Sequence, residues 1–146
     1  MSEFRKLSDT FYASPQITPQ EISEAAAMGM VLVVNNRPDG EAADQPDSAA
    51  IEAAARAAGM DYLAIPIGSA GFSEPQVQKL QDALAAAQGT VLGFCRSGTR
   101  STLLWSLARA RAGEDPDAIS EAAAAAGYDV SPVRPAMDMF AVRARG

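Results

Sequence analysis

The chain has 146 residues, 48% hydrophobic and 21% charged, with a net charge of −6, no histidine and a single cysteine, Cys95. That balance describes one ordinary globular domain, with no apolar run near the roughly 20 residues a membrane helix needs, and the charge argues against nucleic acid or an anionic membrane as partner. Without a second cysteine or any imidazole, an intrachain disulfide, a structural zinc site, haem or iron–sulfur ligation by the usual side chains, and every Ser-His-Asp or Cys-His catalytic arrangement are excluded.

The chain opens with Met1-Ser2-Glu3-Phe4-Arg5-Lys6, which lacks the apolar core of a signal peptide, so a cytoplasmic location is expected, where a lone thiol stays reduced. Phe4 to Ala13 is expected to add one or two edge strands. Thr18-Pro19-Gln20-Glu21 is a capping box with Pro19 at the first helical position; Ile17 and Ile22 stand at the staple positions, and Gly29 is placed to end the helix. Met30 to Val34 is a short apolar run that reads as a buried strand. A helix from near Ser48 to Ala58 stops at Gly59, and Tyr62 to Ile65 reads as the next strand. Ser73-Glu74-Pro75-Gln76 repeats the capping logic, with Phe72 and Val77 as the staple and Val77, Leu80, Leu84 and Ala87 on one face. Thr90 to Phe94 is a third apolar strand, and a helix follows through Thr102, Leu104, Trp105 and Leu107, with Trp105 in the core. Asp115-Pro116-Asp117 opens another helix through the Ala-rich Ala122 to Ala126, closed by Gly127; Met137, Met139 and Phe140 form the packing face of a terminal one. Apolar strands alternating with amphipathic helices imply an α/β fold, a mainly parallel sheet covered on both faces, in a single domain over residues 1–146.

In such a sheet ligands bind beyond the carboxyl ends of the strands, which directs attention to three loops: Asn35 to Pro46, Gly68 to Phe72, and Cys95 to Ser101. The last carries the chemistry. Cys95 directly follows a strand and precedes a helix, so unpaired backbone N–H groups converge where its sulfur lies and favour a thiolate and a bound anion. Gly98 permits the backbone conformation of such a cradle. Arg96, Ser97, Thr99 and Ser101 complete the anion-binding loop, Ser101 as a candidate donor to the sulfur. Arg100 offers a fork of donors to a tetrahedral oxyanion. A small buried cysteine at the end of a core strand is the ordinary reading of such a residue, but Arg-Ser-Gly-Thr-Arg-Ser is a costly composition to pack under a sheet. A nucleotide P-loop is excluded because Thr99 stands where the lysine belongs. Arg37 and Asp39 are candidates for the rim of the same site, with an ordinary Pro-Gly turn as the competing reading of Arg37-Pro38-Asp39-Gly40.

The Cys95 loop resembles the anion-binding loop shared by cysteine-dependent phosphatases and rhodanese-type sulfurtransferases. Together with Phe11-Tyr12-Ala13-Ser14, Asn36-Arg37-Pro38-Asp39-Gly40-Glu41, Gln45-Pro46 and Ile65-Pro66, it is similar to the phosphatase-like sulfurtransferases of the beta-lactamase hydrolase-like family, from about Leu7 to Ala112. The resemblance implies a dual-specificity-phosphatase-like fold and a possible partner, a persulfide dioxygenase beside or fused to the domain. Phosphatases of this fold have a loop one residue longer and a histidine before the cysteine, where this chain has Phe94. They also place an Asp general acid after the strand ending in Ile65-Pro66-Ile67. Here that stretch reads Gly68-Ser69-Ala70-Gly71-Phe72, leaving Asp39 or Glu41 as the available acids.

The expected function is therefore sulfur transfer from thiosulfate or a small persulfide such as glutathione persulfide, through a Cys95 persulfide, to an external thiol such as glutathione. The expected catalytic residues are Cys95 and Arg100, with no metal and no cofactor. A cysteine-dependent phosphatase working through a phosphocysteine is the alternative, and a non-catalytic anion-binding module a third reading.

Overall fold

The computed structural model describes residues 3–146. Five strands form one sheet: β1 (Arg5–Ser8), β2 (Phe11–Ser14), β3 (Met30–Asn35), β4 (Asp61–Ala64) and β5 (Thr90–Phe94). Their order is β1-β2-β5-β3-β4; β1 is antiparallel to β2, and the other neighbours are parallel. The helices are α1 (Pro19–Ala27), α2 (Ser48–Ala57), α3 (Glu74–Ala86), α4 (Thr99–Arg111), α5 (Pro116–Ala125) and α6 (Arg134–Arg145), the last preceded by a short 3₁₀ turn at Ser131–Val133. The α/β class with a mainly parallel sheet is as expected from the alternating pattern.

Local chemistry sets most boundaries. At α1 the Thr18 hydroxyl accepts from the Glu21 amide (3.2 Å) and the Glu21 carboxylate accepts from the Thr18 amide (2.9 Å), a complete capping box. Asp47 caps α2 through the Ala50 amide, and Asp115 caps α5 through the Asp117 amide. The strands then bury both faces. Ile17 just before the first helix, Ile22 and Ala25 within it, and Ile51 and Ala55 from the second pack with Met30, Val33, Leu92 and Phe94. On the opposite face α3, α4, α5 and α6 enclose Phe11, Leu32, Val34 and Val91, with Trp105 stacked on Phe11 at 6.2 Å between ring centroids.

Three expectations are corrected. Phe11–Ser14 is not an edge strand: it pairs with β1 on one side and β5 on the other, and its buried Phe11 and Ala13 both face the core under α4, so the edge is left to the more exposed Arg5–Ser8. The fourth strand stops at Ala64, one residue short of Ile65, where the chain turns into Pro66. Met139 is exposed; on α6 the inward positions are Met137, Phe140 and Ala141.

One carboxylate ties three helices on the second face. Glu74, in the first turn of α3, accepts from Arg111 of α4 (3.0 Å) and from Arg143 of α6 (2.5 Å). The hydrogen bond from Arg143, then that from Arg111, lowers its pKa from 4.5 to about 2. A carboxyl held below its unfolded value stabilises the fold above pH 4.5 and loses that contribution as pH falls toward 2. Glu74→Gln is therefore expected to lower the Tm at neutral pH, with the difference from wild type closing near pH 2; thermal melts across that range check it.

Candidate active site

The carboxyl ends of β2, β5 and β3 lie side by side, Ser14 and Asn35 each in register with Phe94. Cys95 is the next residue, so the sheet itself delivers its sulfur to the switch point where strand order favours a ligand site. Its amide donates to the Ser14 carbonyl (3.3 Å), and the Asn36 amide donates to the Phe94 carbonyl (2.8 Å). Cys95 is fully buried, so a donor reaches the sulfur only after a local rearrangement of the groups around it.

The loop from Cys95 to Thr99 folds tightly over that sulfur. Gly98 sits at φ +91° as the N-cap of α4, and its amide donates to the Cys95 Sγ at 3.1 Å. Thr102 clamps the turn from below, its amide (3.0 Å) and hydroxyl (2.9 Å) both donating to the Gly98 carbonyl. Ser97 and Thr99 are occupied with each other: the Ser97 hydroxyl donates to the Thr99 hydroxyl, and the Thr99 amide donates to the Ser97 oxygen. The amides of Ser97, Arg100 and Ser101 have no protein acceptor among the described residues, which leaves them available to an anion at the start of α4. Arg96 is exposed, and its carbonyl accepts from the Gln16 amide (3.3 Å).

Arg100 is fixed by three bonds. One Nη1 proton goes to Glu41 (2.7 Å), the other to the Ile67 carbonyl (2.8 Å), and one Nη2 proton goes to the second Glu41 oxygen (2.9 Å). A guanidinium has five N–H donors, so Nε–H and the second Nη2–H remain, the parallel pair along one edge of the fork. That edge has no hydrogen-bonded oxygen on it while the tip is held by Glu41, and the Cys95 sulfur lies within reach of the guanidinium. The Glu41 hydrogen bond raises the Arg100 pKa, burial opposes it, and the neighbouring Cys95 sulfur adds to the rise.

Glu41 is the residue whose role the sequence left most open. Its carboxylate accepts from Arg100 and from Nε of Arg37 (3.0 Å). The Arg100 hydrogen bond does most to lower its pKa from 4.5 to about 2, so at neutral pH Glu41 carries no proton to give. Arg37 is buried, not at the rim: it spends its charge on Glu41 and donates a second bond to the Gln16 side chain (3.0 Å). Asp39 orients no arginine; its carboxylate accepts from the Ser48 amide (2.8 Å) at the start of α2. Ser101 does not serve the sulfur either, because its one proton goes to the Asn36 side-chain oxygen (2.7 Å), and Asn36 donates in turn to the Ile65 carbonyl (2.9 Å). The Gly68–Phe72 loop brings no carboxylate to the site; the nearby contribution is the Ile67 carbonyl.

Two site residues carried no signal in the sequence. Gln16 sits just past β2 and braces both Arg37 and the Arg96 carbonyl, a role no motif announces. Tyr128 follows α5 and donates to the Ser97 carbonyl (3.2 Å) from 31 positions away. A surface groove lined by Val31, Leu32, Leu63, Ala83 and Ala87 lies at the opposite end of the strands and contains none of these residues. Among the described residues no cluster of side chains could hold a metal ion, and no helix is long and apolar enough to cross a membrane.

Comparison with known proteins gives the family and the fold. Residues 3–112 match the family described as "Beta-lactamase hydrolase-like protein, phosphatase-like domain". Beta-lactamase hydrolase-like proteins of Xylella fastidiosa Temecula1 and Agrobacterium fabrum C58 are 37% and 36% identical over 101 residues, 69% of this chain. The chain spans about a quarter (23%) of the length of those relatives. A candidate phosphatase from Neisseria meningitidis Z2491 has a similar structure, with a TM-score of 0.82 and 32% identity over 96% of this chain and 99% of that one. TpbA of P. aeruginosa (TM-score 0.68, 20% identity, 99% and 92% covered) and PTPMT1 (0.74, 13%, 97% and 98%) share the fold. The Neisseria structure is a phosphatase by description and the matching family's domain is described as phosphatase-like, which favours the phosphatase alternative over the expected sulfur transfer; neither is described as a sulfurtransferase.

Proposed function

The chain belongs to the beta-lactamase hydrolase-like family through its phosphatase-like domain, and on that premise we propose that it is an enzyme of covalent group transfer at Cys95, moving sulfane sulfur. The observation that carries the choice of sulfur is the state of Glu41. A phosphate monoester expels an alkoxide, which needs a proton in the transition state, a contribution of about 10²–10⁴-fold. Glu41 is ionised between two arginines, and Asp39 is turned away to the Ser48 amide. Sulfite and thiolates leave as anions and need no such proton.

The steps balance without a further reagent. The Cys95 thiolate attacks the outer sulfur of thiosulfate; a new S–S bond forms, the old one breaks, and sulfite departs with the electron pair. The loop amides and the remaining edge of Arg100 hold the oxyanion of the donor while this occurs. An external thiolate such as that of glutathione then attacks the outer sulfur of the Cys95 persulfide, leaving as a persulfide and restoring the Cys95 thiolate. Because the chain has no second cysteine, this acceptor is external. A persulfide dioxygenase that consumes the product is the partner this reading suggests.

The second reading is a phosphatase, and the descriptions of the Neisseria structure and of the family's domain favour it. The two separate by leaving group. With thiosulfate and glutathione as substrates, sulfite release is expected to exceed hydrolysis of an alkyl phosphate by at least about 10²-fold in the same preparation. An aryl phosphate, whose phenolate leaves unaided, is expected to fall between them. Rapid, vanadate-sensitive hydrolysis of the alkyl ester with no sulfite release would replace the sulfur reading by the phosphatase one.

A further inference from the structure

We propose that Tyr128 is the positioning residue that holds the Ser97–Gly98 peptide in the one orientation that aims an amide at the Cys95 sulfur. The proposal rests on Cys95 as the nucleophile and is indifferent to whether sulfur or phosphate is transferred. In a trans peptide the carbonyl and the following N–H point in opposite directions, and no described peptide in this chain is cis. The Tyr128 hydroxyl donates to the Ser97 carbonyl at 3.2 Å, and on the other side of the same peptide plane the Gly98 amide donates to Sγ at 3.1 Å. Rotating that peptide away from Tyr128 would turn the Gly98 amide off the sulfur and present a carbonyl oxygen to it. Glycine at φ +91° has no Cβ to resist such a rotation, so an external anchor is needed.

The chain builds that anchor deliberately in physical terms. Gly127, at φ +93°, ends α5: its amide donates to the Ala124 carbonyl (3.0 Å), and the Tyr128 amide donates to Ala123 (2.9 Å), a Schellman closure. The closure throws the Tyr128 ring, 8% exposed, against the loop. Arg5 of β1 lies over the ring at 5.2 Å and donates to the Ala126 carbonyl, and makes no bond to the Tyr128 hydroxyl or to the Ser97–Gly98 peptide. Burial raises the phenol's pKa, against the opposing pull of Arg5, which keeps the hydroxyl protonated as a donor. The charged and titratable groups placed to influence the sulfur are Arg100 from α4, with Glu41 behind it, and Tyr128. Tyr128 lies beyond residues 3–112, outside the part of the chain that matches the family.

The test is the rate–pH profile of iodoacetamide alkylation of Cys95 in wild type, Tyr128→Phe and Arg5→Gln. Phenylalanine keeps the ring and removes the bond to Ser97. The Tyr128→Phe profile is expected to move up by about one pH unit, about tenfold slower alkylation below neutral pH, with the high-pH plateau unchanged. Arg5→Gln keeps the hydroxyl and is expected to leave the profile in place. A Tyr128→Phe profile superimposed on wild type, or an equal shift from Arg5→Gln, overturns the proposal. A second measurement needs no variant: in wild type the Gly98 amide proton is expected to show the largest shift of the loop amides as the thiol titrates, and an unresponsive Gly98 amide also overturns it. An unmoved alkylation profile beside intact sulfur transfer removes this proposal alone; a moved profile in a protein that transfers no sulfur removes the sulfur reading alone.

Discussion

Cys95→Ser is expected to reduce group transfer by about 10³-fold or more while leaving the protein folded. Serine has nearly the size of cysteine, and its oxygen can accept the Gly98 amide that now donates to Sγ. The buried hydroxyl proton needs a partner of its own, so a loss of stability of about 1–3 kcal/mol is expected, with the fold retained. An alcohol is not ionised at neutral pH and forms no persulfide, so both the attack and the intermediate disappear. The anion cradle does not: the amides at the start of α4 and the Arg100 edge are untouched, and thiosulfate binding measured by calorimetry is expected to survive. Full turnover in the serine variant would remove Cys95 from the chemistry. A wild type that binds the anion but never turns over would leave the binding-module reading in possession of the site.

Gly98→Ala is expected to damage both stability and activity, because strain and a clash fall on the same residue. Alanine at φ +91° costs about 1–2 kcal/mol for the left-handed conformation alone. The added Cβ would also overlap the Tyr128 hydroxyl and crowd the Ser14 carbonyl carbon at 3.3 Å. Moving Tyr128 aside breaks its bond to the Ser97 carbonyl, and moving the loop takes the Gly98 amide from the sulfur. A total destabilisation of about 2–4 kcal/mol is expected by denaturant unfolding, with transfer activity falling further than stability explains. A variant as stable and as active as wild type would mean the loop does not adopt this conformation.

What the sequence made legible follows from how local each signal is. The capping box at Thr18, the αL glycines after α1, α2 and α5, and the apolar runs of β3 and β5 depend on neighbours a few positions away, and the structure contains them. Cys95, Gly98 and Arg100 were legible because a loop and the helix after it bring them together within six residues. The partners of that loop come from elsewhere. Glu41 reaches Arg100 across 59 positions, Ser101 meets Asn36 across 65, and Tyr128 closes on Ser97 across 31. No spacing rule encodes those approaches; the strand order does. β5 lies between β2 and β3, so the loops after Ser14 and Asn35 are forced against the Cys95 loop from both sides. The same topology explains why Arg37 and Asp39, read together as one rim, part company. Arg37 turns inward to Glu41 and Gln16, whereas Asp39 turns to the first turn of α2.

The central claim is a covalent sulfur intermediate on Cys95, and the direct measurement is intact-protein mass after the fully reduced chain is incubated with thiosulfate or glutathione persulfide, with Cys95→Ser alongside. The account predicts a gain of one sulfur atom on the wild type alone, removed by glutathione. An unchanged wild-type mass with both donors, in a preparation that hydrolyses an alkyl phosphate, would contradict it.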